Sequence, residues 1–202
     1  LVYIDDLIKQ FSELLKCEEE LENKKKFYEI DVTYKISLLE LAEKIYSFKN
    51  SRKSLIIDNV GSGLERALYA TYLSYLETDE FCYALKNHSD IRGDFVEILK
   101  TKDSGQFSYF TAKTGVTRGG HYHNTKTEKF LVVQGKAKFR FKNLSNNKFF
   151  ELTTEAKMPT VVESIPGWVH DITCISKEDL IVFLWANELF DKEKPDTFAC
   201  KF

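Results

Sequence analysis

The sequence predicts an α+β chain in which a helical segment, residues 1–90, precedes an all-β segment, residues 91–202. Apolar residues recur at helical spacing over the first 80 or so positions, as at Leu7, Phe11 and Leu14. After residue 90 the apolar residues instead occur in short runs of β-branched and aromatic side chains, separated by Gly, Asn, Asp and Ser. Regular short strands without intervening helices are typical of a sandwich or a barrel.

Three helices are predicted in the first segment. The first has an apolar stripe over residues 7–15, and Asp5 or Asp6 is placed to cap its start. The second and third each open with a capping box, Ser37–Glu40 and Ser62–Glu65. The extended pieces predicted around these helices are residues 1–6, 27–32 and 55–57.

The second segment contains seven predicted strands. Within residues 136–142, charged side chains alternate with Ala137, Phe139 and Phe141, which predicts one solvated face and one buried face. The seven runs are residues 95–99, 107–112, 130–134, 137–142, 149–152, 160–165 and 180–185.

Composition excludes several classes of protein. The net charge of −2 offers no concentrated positive field, so we expect no nucleic-acid partner. The acidic run 18–20 and the basic run 24–26 cancel locally and are predicted to be solvated helix faces. The four cysteines are far apart, which argues against a disulfide framework and favours the cytoplasm. We expect no membrane partner, because no apolar stretch approaches the roughly 20 residues that span a bilayer.

One stretch carries the residue types of a metal site. Residues two apart in a strand point to the same face, so His121 and His123 can direct both imidazoles at one point. Glu128 follows across a short loop and adds a carboxylate oxygen to these nitrogen donors. His170 is expected to be the fourth ligand, from a distant strand. The sequence therefore predicts one divalent cation held by these four residues, with Zn favoured and Fe, Mn or Ni also suited.

The spacing around these residues is that of the cupin motifs. Residues 115–135 read Gly-x5-His-x-His-x4-Glu-x6-Gly, the first cupin motif with each defining position filled. In the second motif, Gly167 lies three residues before His170, and Cys174 stands where an Asn is common. The remaining histidine, His88, has no partner pattern and is assigned to the linker between the two segments.

Five stretches of the chain closely resemble one bacterial enzyme family, the bifunctional capsular polysaccharide and O-antigen synthesis enzymes of CapF/WbjC type in the UDP-N-acetyl-L-fucosamine pathway. The resemblance implies a helical C-terminal remnant of an extended short-chain dehydrogenase/reductase domain, followed by a cupin domain, a double-stranded β-helix or jelly-roll barrel. The stretches are residues 67–76, 94–101, 124–135, 165–172 and 184–191.

The same resemblance implies an activity. In that family the cupin epimerises C3 of a UDP-4-keto-6-deoxy-N-acetylhexosamine, and the reductase then uses NADPH to reduce C4. The chain departs from the family at the reductase, because residues 61–63 lack the third glycine and the βαβ context of a dinucleotide loop. We therefore expect NADPH to bind only the full-length protein. A UDP-sugar substrate and a homodimer are also implied.

Epimerisation needs a general base, for which the sequence offers Lys129, Asp171 and Tyr122 as candidates. Tyr122 points away from the neighbouring histidines if its strand is regular, and Asp171 is also placed to orient the adjacent imidazole. Arg118 and Arg140 are candidates for binding a diphosphate, since Arg forms bidentate bonds to phosphate. For each arginine the alternative is a solvated surface position.

Two other functions fit the same ligand set. One is a non-catalytic cupin that senses sugars or in which the metal is structural. The other is a cupin dioxygenase that uses Fe(II), which three histidines and a glutamate permit.

Overall fold

The computed structural model describes residues 1–16 and 27–202, which form two compact units. Of the described residues, one unit contains 1–16, 27–50 and 59–81, and the other contains 51–58 and 82–202. The first is helical and the second is almost entirely β-structure. The charge runs 18–20 and 24–26 lie outside the described residues. The assignment of residues 1–90 to a reductase-type domain stays a prediction.

The helical unit packs around an aromatic cluster. Phe48 is 2% exposed, and its ring centroid lies 5.2 Å from that of Tyr69 and 6.0 Å from that of Tyr72. No helix in the described part of the chain is both long and apolar enough to cross a bilayer. The helices are α1 (Ile4–Leu14), α2 (Leu38–Ser54) and α3 (Gly63–Ser74), followed by a 3-10 turn, Thr78–Phe81.

The predicted capping boxes have different outcomes. At the start of α2 the box is formed, because the Glu40 amide donates to Ser37 Oγ at 3.2 Å and Glu40 Oε2 accepts from the Ser37 amide at 2.9 Å. At the start of α3 it is wrong, since Ser62 makes no side-chain cap. Glu65 instead accepts a hydrogen bond from Lys44 Nζ at 2.5 Å, so its charge is compensated by another helix.

The start of α1 also differs from the prediction. Tyr3 is the N-cap, and residues 1–6 are not the end of a strand. Asp5 and Asp6 lie within the first turn, where a carboxylate stabilises the positive end of the helix dipole without capping it. Residues 27–32 contain no strand, whereas residues 55–57 include a short one.

The β unit consists of two sheets. The strands are β1 (Ile56–Ile57), β2 (Asn87–Asp90), β3 (Gly93–Thr101), β4 (Gln106–Ala112), β5 (Thr117–Tyr122), β6 (Glu128–Gln134), β7 (Lys136–Asn143), β8 (Phe149–Glu155), β9 (Val161–Ser164), β10 (Trp168–Cys174), β11 (Leu180–Ala186) and β12 (Phe198–Ala199). The larger sheet has the strand order β1-β3-β4-β11-β6-β9, with β2 paired to β3, and the smaller sheet has the order β12-β5-β10-β7-β8.

The core of the β unit lies between the two sheets. The central strand β11 buries alternate side chains, including Leu180 and Val182 at 0% exposure. Phe130 of the larger sheet contacts Phe139 of the smaller sheet with ring centroids 5.9 Å apart. Burying an aliphatic or aromatic side chain of this size contributes about 1.5–3 kcal/mol. This apolar core holds the sheets at a fixed separation and leaves space for a site at their open side.

All seven strands listed from the sequence of the second segment are present. His121 lies in β5 and His170 in β10, as expected of residues on strands, although the bounds of these two strands were not predicted. β2, whose four residues are polar and exposed, and the two-residue β12 were not predicted. The assignment of His88 to a linker is wrong, because His88 lies in β2 opposite Phe95. His123 lies just after β5, which ends at Tyr122.

Candidate metal centre

The four predicted ligands converge at one place. One donor atom from each of His121, His123, Glu128 and His170 lies within 4.8 Å of the donor atoms of the other three. Glu128 Oε2 is 3.1 Å from His123 Nε2 and 3.2 Å from His170 Nε2. The ring centroids of His121 and His170 are 4.7 Å apart. Three imidazoles and a carboxylate therefore share one small volume.

Both sheets contribute to this cluster. In the smaller sheet, His121 of β5 and His170 of β10 are direct cross-strand neighbours. Glu128 is the first residue of β6 in the larger sheet, where its backbone amide donates to Ser164 Oγ at 3.0 Å. His123 is held by the loop that connects the two sheets, since its carbonyl accepts from the Gly167 amide at 2.8 Å. The ligands are thus positioned by strand pairing and by one loop.

Burial and the neighbouring charges together shift the pKa values within the cluster. Burial lowers the pKa of His121 to about 4, and the nearby His170 acts in the same direction. Burial by itself would raise the pKa of Glu128, but the imidazoles of His123 and His170 outweigh it and hold that pKa well below its usual range. A neutral imidazole and an ionised carboxylate are the forms that bind metal ions.

The hydrogen bonds of His123 are incomplete without a cation or a proton. Its Nδ1 lies 2.5 Å from the carbonyl oxygen of Asp196, and its Nε2 lies 3.1 Å from the Glu128 carboxylate. Both oxygens are acceptors, so Nε2 must carry either a proton or a metal ion. Burial lowers the pKa of His123, but the Glu128 carboxylate outweighs burial and raises it above the ordinary value.

His170 shows the same need for a partner. The residue is 2% exposed, and its buried Nε2 makes no hydrogen bond with any described residue although it lies 3.2 Å from the Glu128 carboxylate. A buried polar atom without a partner is costly unless a ligand satisfies it. The donor set and these two nitrogens together fit a divalent cation bound through three histidines and one glutamate.

The cluster lines a cavity of about 360 Å³ in the β unit. This volume lies in the range of small-molecule sites. The wall combines apolar rings with charged groups of both signs, so it suits a ligand that is partly apolar and partly anionic or hydroxylated. Besides the four ligands, the charged lining residues are Arg92, Glu97, Arg118, Lys126 and Glu188, and the aromatic ones are Phe95, Phe110, Phe130 and Phe190.

The structure separates the two arginine candidates. Arg118 lines the cavity, where its guanidinium lies 5.2 Å from the Phe110 ring centroid and donates to the Thr111 carbonyl at 3.0 Å. Arg140 instead pairs with the Asp171 carboxylate and lies over the ring of Phe202 at 4.5 Å. Arg140 is thus the partner of Asp171 in an ion pair, and it does not line the cavity.

The three candidate bases also lie outside that lining. Lys129 forms an ion pair with Glu163 on the surface, and Asp171 is the partner of Arg140. The Tyr122 ring stacks on Phe198 with centroids 5.2 Å apart. These placements favour structural roles for all three residues. For Tyr122, the sequence already allowed this interpretation, because the residue was expected to point away from the histidines.

The cavity also contains a buried lysine that the motif analysis did not single out. Lys126 is 5% exposed, and its Nζ donates to the Pro195 carbonyl at 2.7 Å and to Thr197 Oγ1 at 3.3 Å. Glu188 Oε1 is 3.8 Å from the same nitrogen. Lys126 occupies an unspecified position of the first cupin motif, and its partners come from the end of the chain, so no local pattern predicts its burial.

Residues 88–198 match the family described as polysaccharide biosynthesis C-terminal domain. The chain belongs to this family. Over 200 residues it is 54% identical to the UDP-2-acetamido-2,6-beta-L-arabino-hexul-4-ose reductase of Pseudomonas aeruginosa, covering 99% of this chain and 53% of that protein. It is also similar to the crystal structure of the capsular polysaccharide assembling protein CapF from Staphylococcus aureus, with a TM-score of 0.88 and 33% identity over 100% of this chain and 54% of that one.

These comparisons confirm the resemblance to the C-terminal portion of CapF/WbjC-type enzymes and the predicted fold class, a helical portion followed by an all-β cupin. A second crystal form of the Staphylococcus aureus protein gives a TM-score of 0.89. This chain spans about half the length of the relatives that it matches.

Proposed function

We propose that this chain catalyses metal-dependent C3 epimerisation of a UDP-4-keto-6-deoxy-N-acetylhexosamine in the biosynthesis of nucleotide sugars for capsule or O-antigen. The observation that carries this proposal is the convergence of His121, His123, Glu128 and His170 in the wall of a cavity. The name of the Pseudomonas aeruginosa relative denotes a UDP-linked acetamido sugar with a ketone at C4, which supports the substrate class.

The four ligands would hold one divalent cation, and we propose Zn, with Fe, Mn and Ni as alternatives. A cation bound there supplies Lewis-acid stabilisation of the negative charge that develops on the C4 ketone oxygen when the C3 proton leaves. The protein's own contribution is to bring four donors together in a buried site, where such electrostatic stabilisation is strongest.

Epimerisation removes a proton from carbon and returns one to the opposite face, so proton-carrying side chains must reach the substrate. Apart from the four candidate ligands and the two arginines, three residues of the cavity wall carry such groups: Glu97, Lys126 and Glu188. Lys126 is the most buried of the three, and its two hydrogen-bond acceptors hold its ammonium group in place. We propose that the base and the acid are drawn from these residues rather than from the three sequence candidates.

A UDP-sugar also needs contacts for its diphosphate. Arg118 and Arg92 both line the cavity, but Arg92 is already paired with the Asp90 carboxylate through two of its guanidinium nitrogens. Burial lowers the pKa of Arg118, and the neighbouring Arg92 acts in the same direction, so an anionic ligand here compensates the positive charge of Arg118. We propose that Arg118 binds the diphosphate.

In the full-length protein this epimerisation would be coupled to NADPH-dependent reduction of C4, with residues 1–90 forming the substrate-side part of the reductase. We also propose a homodimer in the cytoplasm, on the family resemblance. Sedimentation equilibrium tests the dimer, because a species of 23.5 kDa at micromolar concentration would contradict it.

Deuterium exchange tests the epimerase. The metal-loaded chain is incubated in D₂O with the UDP-4-keto sugar, and incorporation at C3 is followed by mass spectrometry and NMR. We expect exchange that requires the metal and is lost on treatment with a chelator. Absence of exchange with one metal bound per chain would contradict the epimerase and favour a sensing or structural cupin. Oxygen consumption would favour a dioxygenase.

A further inference from the structure

The end of the chain covers the strand that carries His121. Residues 195–200, here called the C-terminal strap, include β12, which pairs with β5 so that Ala199 lies opposite His121 and Phe198 opposite Tyr122. The Cys200 amide donates to the Gly120 carbonyl at 2.9 Å. The strap therefore forms the outer edge of the smaller sheet next to the metal centre.

Asp196 attaches this strap to the loop that follows His123. Its carboxylate accepts hydrogen bonds from three consecutive backbone amides, those of Asn124, Thr125 and Lys126, at 3.0, 2.8 and 2.8 Å. The Thr125 hydroxyl donates to the same carboxylate at 3.0 Å. Hydrogen bonds to an ionised acceptor are roughly twice as strong as those between neutral groups. This one side chain thus fixes the loop between His123 and Glu128.

The backbone of Asp196 acts on the ligand itself. Its carbonyl oxygen lies 2.5 Å from His123 Nδ1, and a carbonyl oxygen can only accept. The proton must therefore sit on Nδ1, which leaves Nε2 to face Glu128 and the other imidazoles. Which ring nitrogen binds a metal is set by the hydrogen bond that the other nitrogen makes.

The conformation of Asp196 allows both contacts at once. Its φ of +38° lies in the left-handed region, which non-glycine residues other than Asn and Asp rarely adopt. Lys126 Nζ also binds the strap on either side of Asp196, through the Pro195 carbonyl and Thr197 Oγ1. The carboxylate and the lysine hold the strained backbone in the geometry that directs the carbonyl at His123.

We propose that Asp196 is a positioning residue for the metal centre, whose carboxylate holds the 124–126 loop so that its own carbonyl fixes His123 with the proton on Nδ1 and Nε2 directed at the cation. The inference rests on the metal site of the proposed function. It adds a residue from the far end of the chain, 73 positions from the ligand that it orients.

The first test measures zinc affinity by competition with a chromophoric chelator. Asp196→Gly keeps the left-handed backbone accessible but removes the carboxylate, and we expect zinc to bind about 10–100-fold more weakly. Asp196→Asn keeps one acceptor oxygen, so its zinc affinity should lie between that of the unmodified chain and that of Asp196→Gly. The matched control is Asp191→Asn, because Asp191 is exposed and its carboxylate accepts a local hydrogen bond from the Glu193 amide. Its affinity should equal that of the unmodified chain.

The second test follows the imidazole proton by ¹⁵N NMR of the zinc-loaded chain. We expect His123 to show a proton on Nδ1 that exchanges slowly with solvent, and this signal should be lost in Asp196→Gly. A merely structural role would lower the unfolding temperature without changing this signal. His123→Ala assigns the resonance.

The outcomes separate two failures. If the unmodified chain binds none of Zn, Fe, Mn and Ni, the metal centre and this inference both fail. If it binds another of these cations in place of zinc, the same variants are compared with that cation. If it binds zinc and Asp196→Gly retains both the affinity and the slow proton, the role of Asp196 is overturned while the metal centre stands. Should Asp196→Gly not fold, Asp196→Asn decides, because unchanged affinity and an unchanged Nδ1 proton in that variant would overturn the proposal.

Discussion

Two arginines show how a single residue acquires its role from its surroundings. Arg118 and Arg140 both lie in the smaller sheet, on strands that each pair with β10. Arg140 has a carboxylate within reach on the neighbouring strand, Asp171, and forms an ion pair with it. Arg118 has carbonyl and aromatic neighbours instead, so part of its donor capacity remains available to a ligand in the cavity.

The pair provides a matched prediction about substrate binding. In Arg118→Lys the charge remains but the bidentate fork is lost, so we expect the KM in the exchange assay to rise about tenfold or more, the equivalent of one charge-assisted hydrogen bond. Arg140→Lys should leave the KM unchanged, since that side chain contacts Asp171. Equal KM values for both variants would argue against diphosphate binding at Arg118.

A second prediction at this scale concerns ligation. His123→Ala removes one of four donors and should lose most of the bound metal, measured by elemental analysis after dialysis. His88→Ala is the control, because His88 is exposed on β2. That strand pairs with β3, and two further strands separate β3 from β6, which carries Glu128. Stoichiometric metal retained by His123→Ala would contradict the site.

At the scale of elements, the junction between β5 and β10 positions two of the ligands. Gly119 has a φ of +99°, and a Cβ at that position would lie 2.8 Å from the His170 carbonyl oxygen and 2.9 Å from Asp171 Cα. A bulge in the pairing falls between His170 and Asp171. The missing side chain of Gly119 therefore allows the strands to approach closely where His121 and His170 must meet.

This geometry predicts different effects for two glycine variants. Gly119→Ala forces β10 away from β5, so we expect metal affinity to fall about 10–100-fold, as for the loss of a residue that orients a ligand. Gly115 also has a positive φ, +76°, but nothing lies within 4 Å of its added Cβ. Gly115→Ala should therefore cost only about 1 kcal/mol in urea unfolding, with metal affinity unchanged. Equal affinity in the two variants would refute the close-approach argument.

Elements were predictable from local pattern only where the pattern is strong. β11 is a continuous run of seven apolar residues and was predicted, whereas the bounds of β5, which contains Gly119 and Gly120 and lacks a hydrophobic run, were not. The capping box at Ser37 is formed, whereas Glu65 instead binds Lys44 on another helix. Such competition depends on packing, which no local pattern contains.

At the scale of the whole molecule, the metal centre joins the two sheets of the β unit. Glu128 belongs to the larger sheet, and His121 and His170 belong to the smaller one. A cation that binds all three links the sheets in the folded state and has no preformed site in the unfolded chain. Binding of the metal is therefore coupled to the stability of the fold.

The coupling predicts a metal-dependent melting temperature. At a free zinc concentration 100 times the Kd, the folded state should gain about 2.7 kcal/mol, which calorimetry records as a higher Tm than in the presence of a chelator. In His123→Ala this difference should shrink or vanish. If the chelator leaves the Tm of the unmodified chain unchanged, the cluster does not hold a metal that contributes to stability.

The sequence by itself determined the change from helical to strand periodicity and the four candidate ligands, because three of these ligands lie within one motif of fixed spacing. The tertiary structure decided which arginine faces the cavity, that Lys126 is buried there, and that Asp196 holds His123. These contacts join positions as much as 73 residues apart. They follow from the register of paired strands and from the path of the chain end, which are properties of the assembled sheets and not of any local pattern.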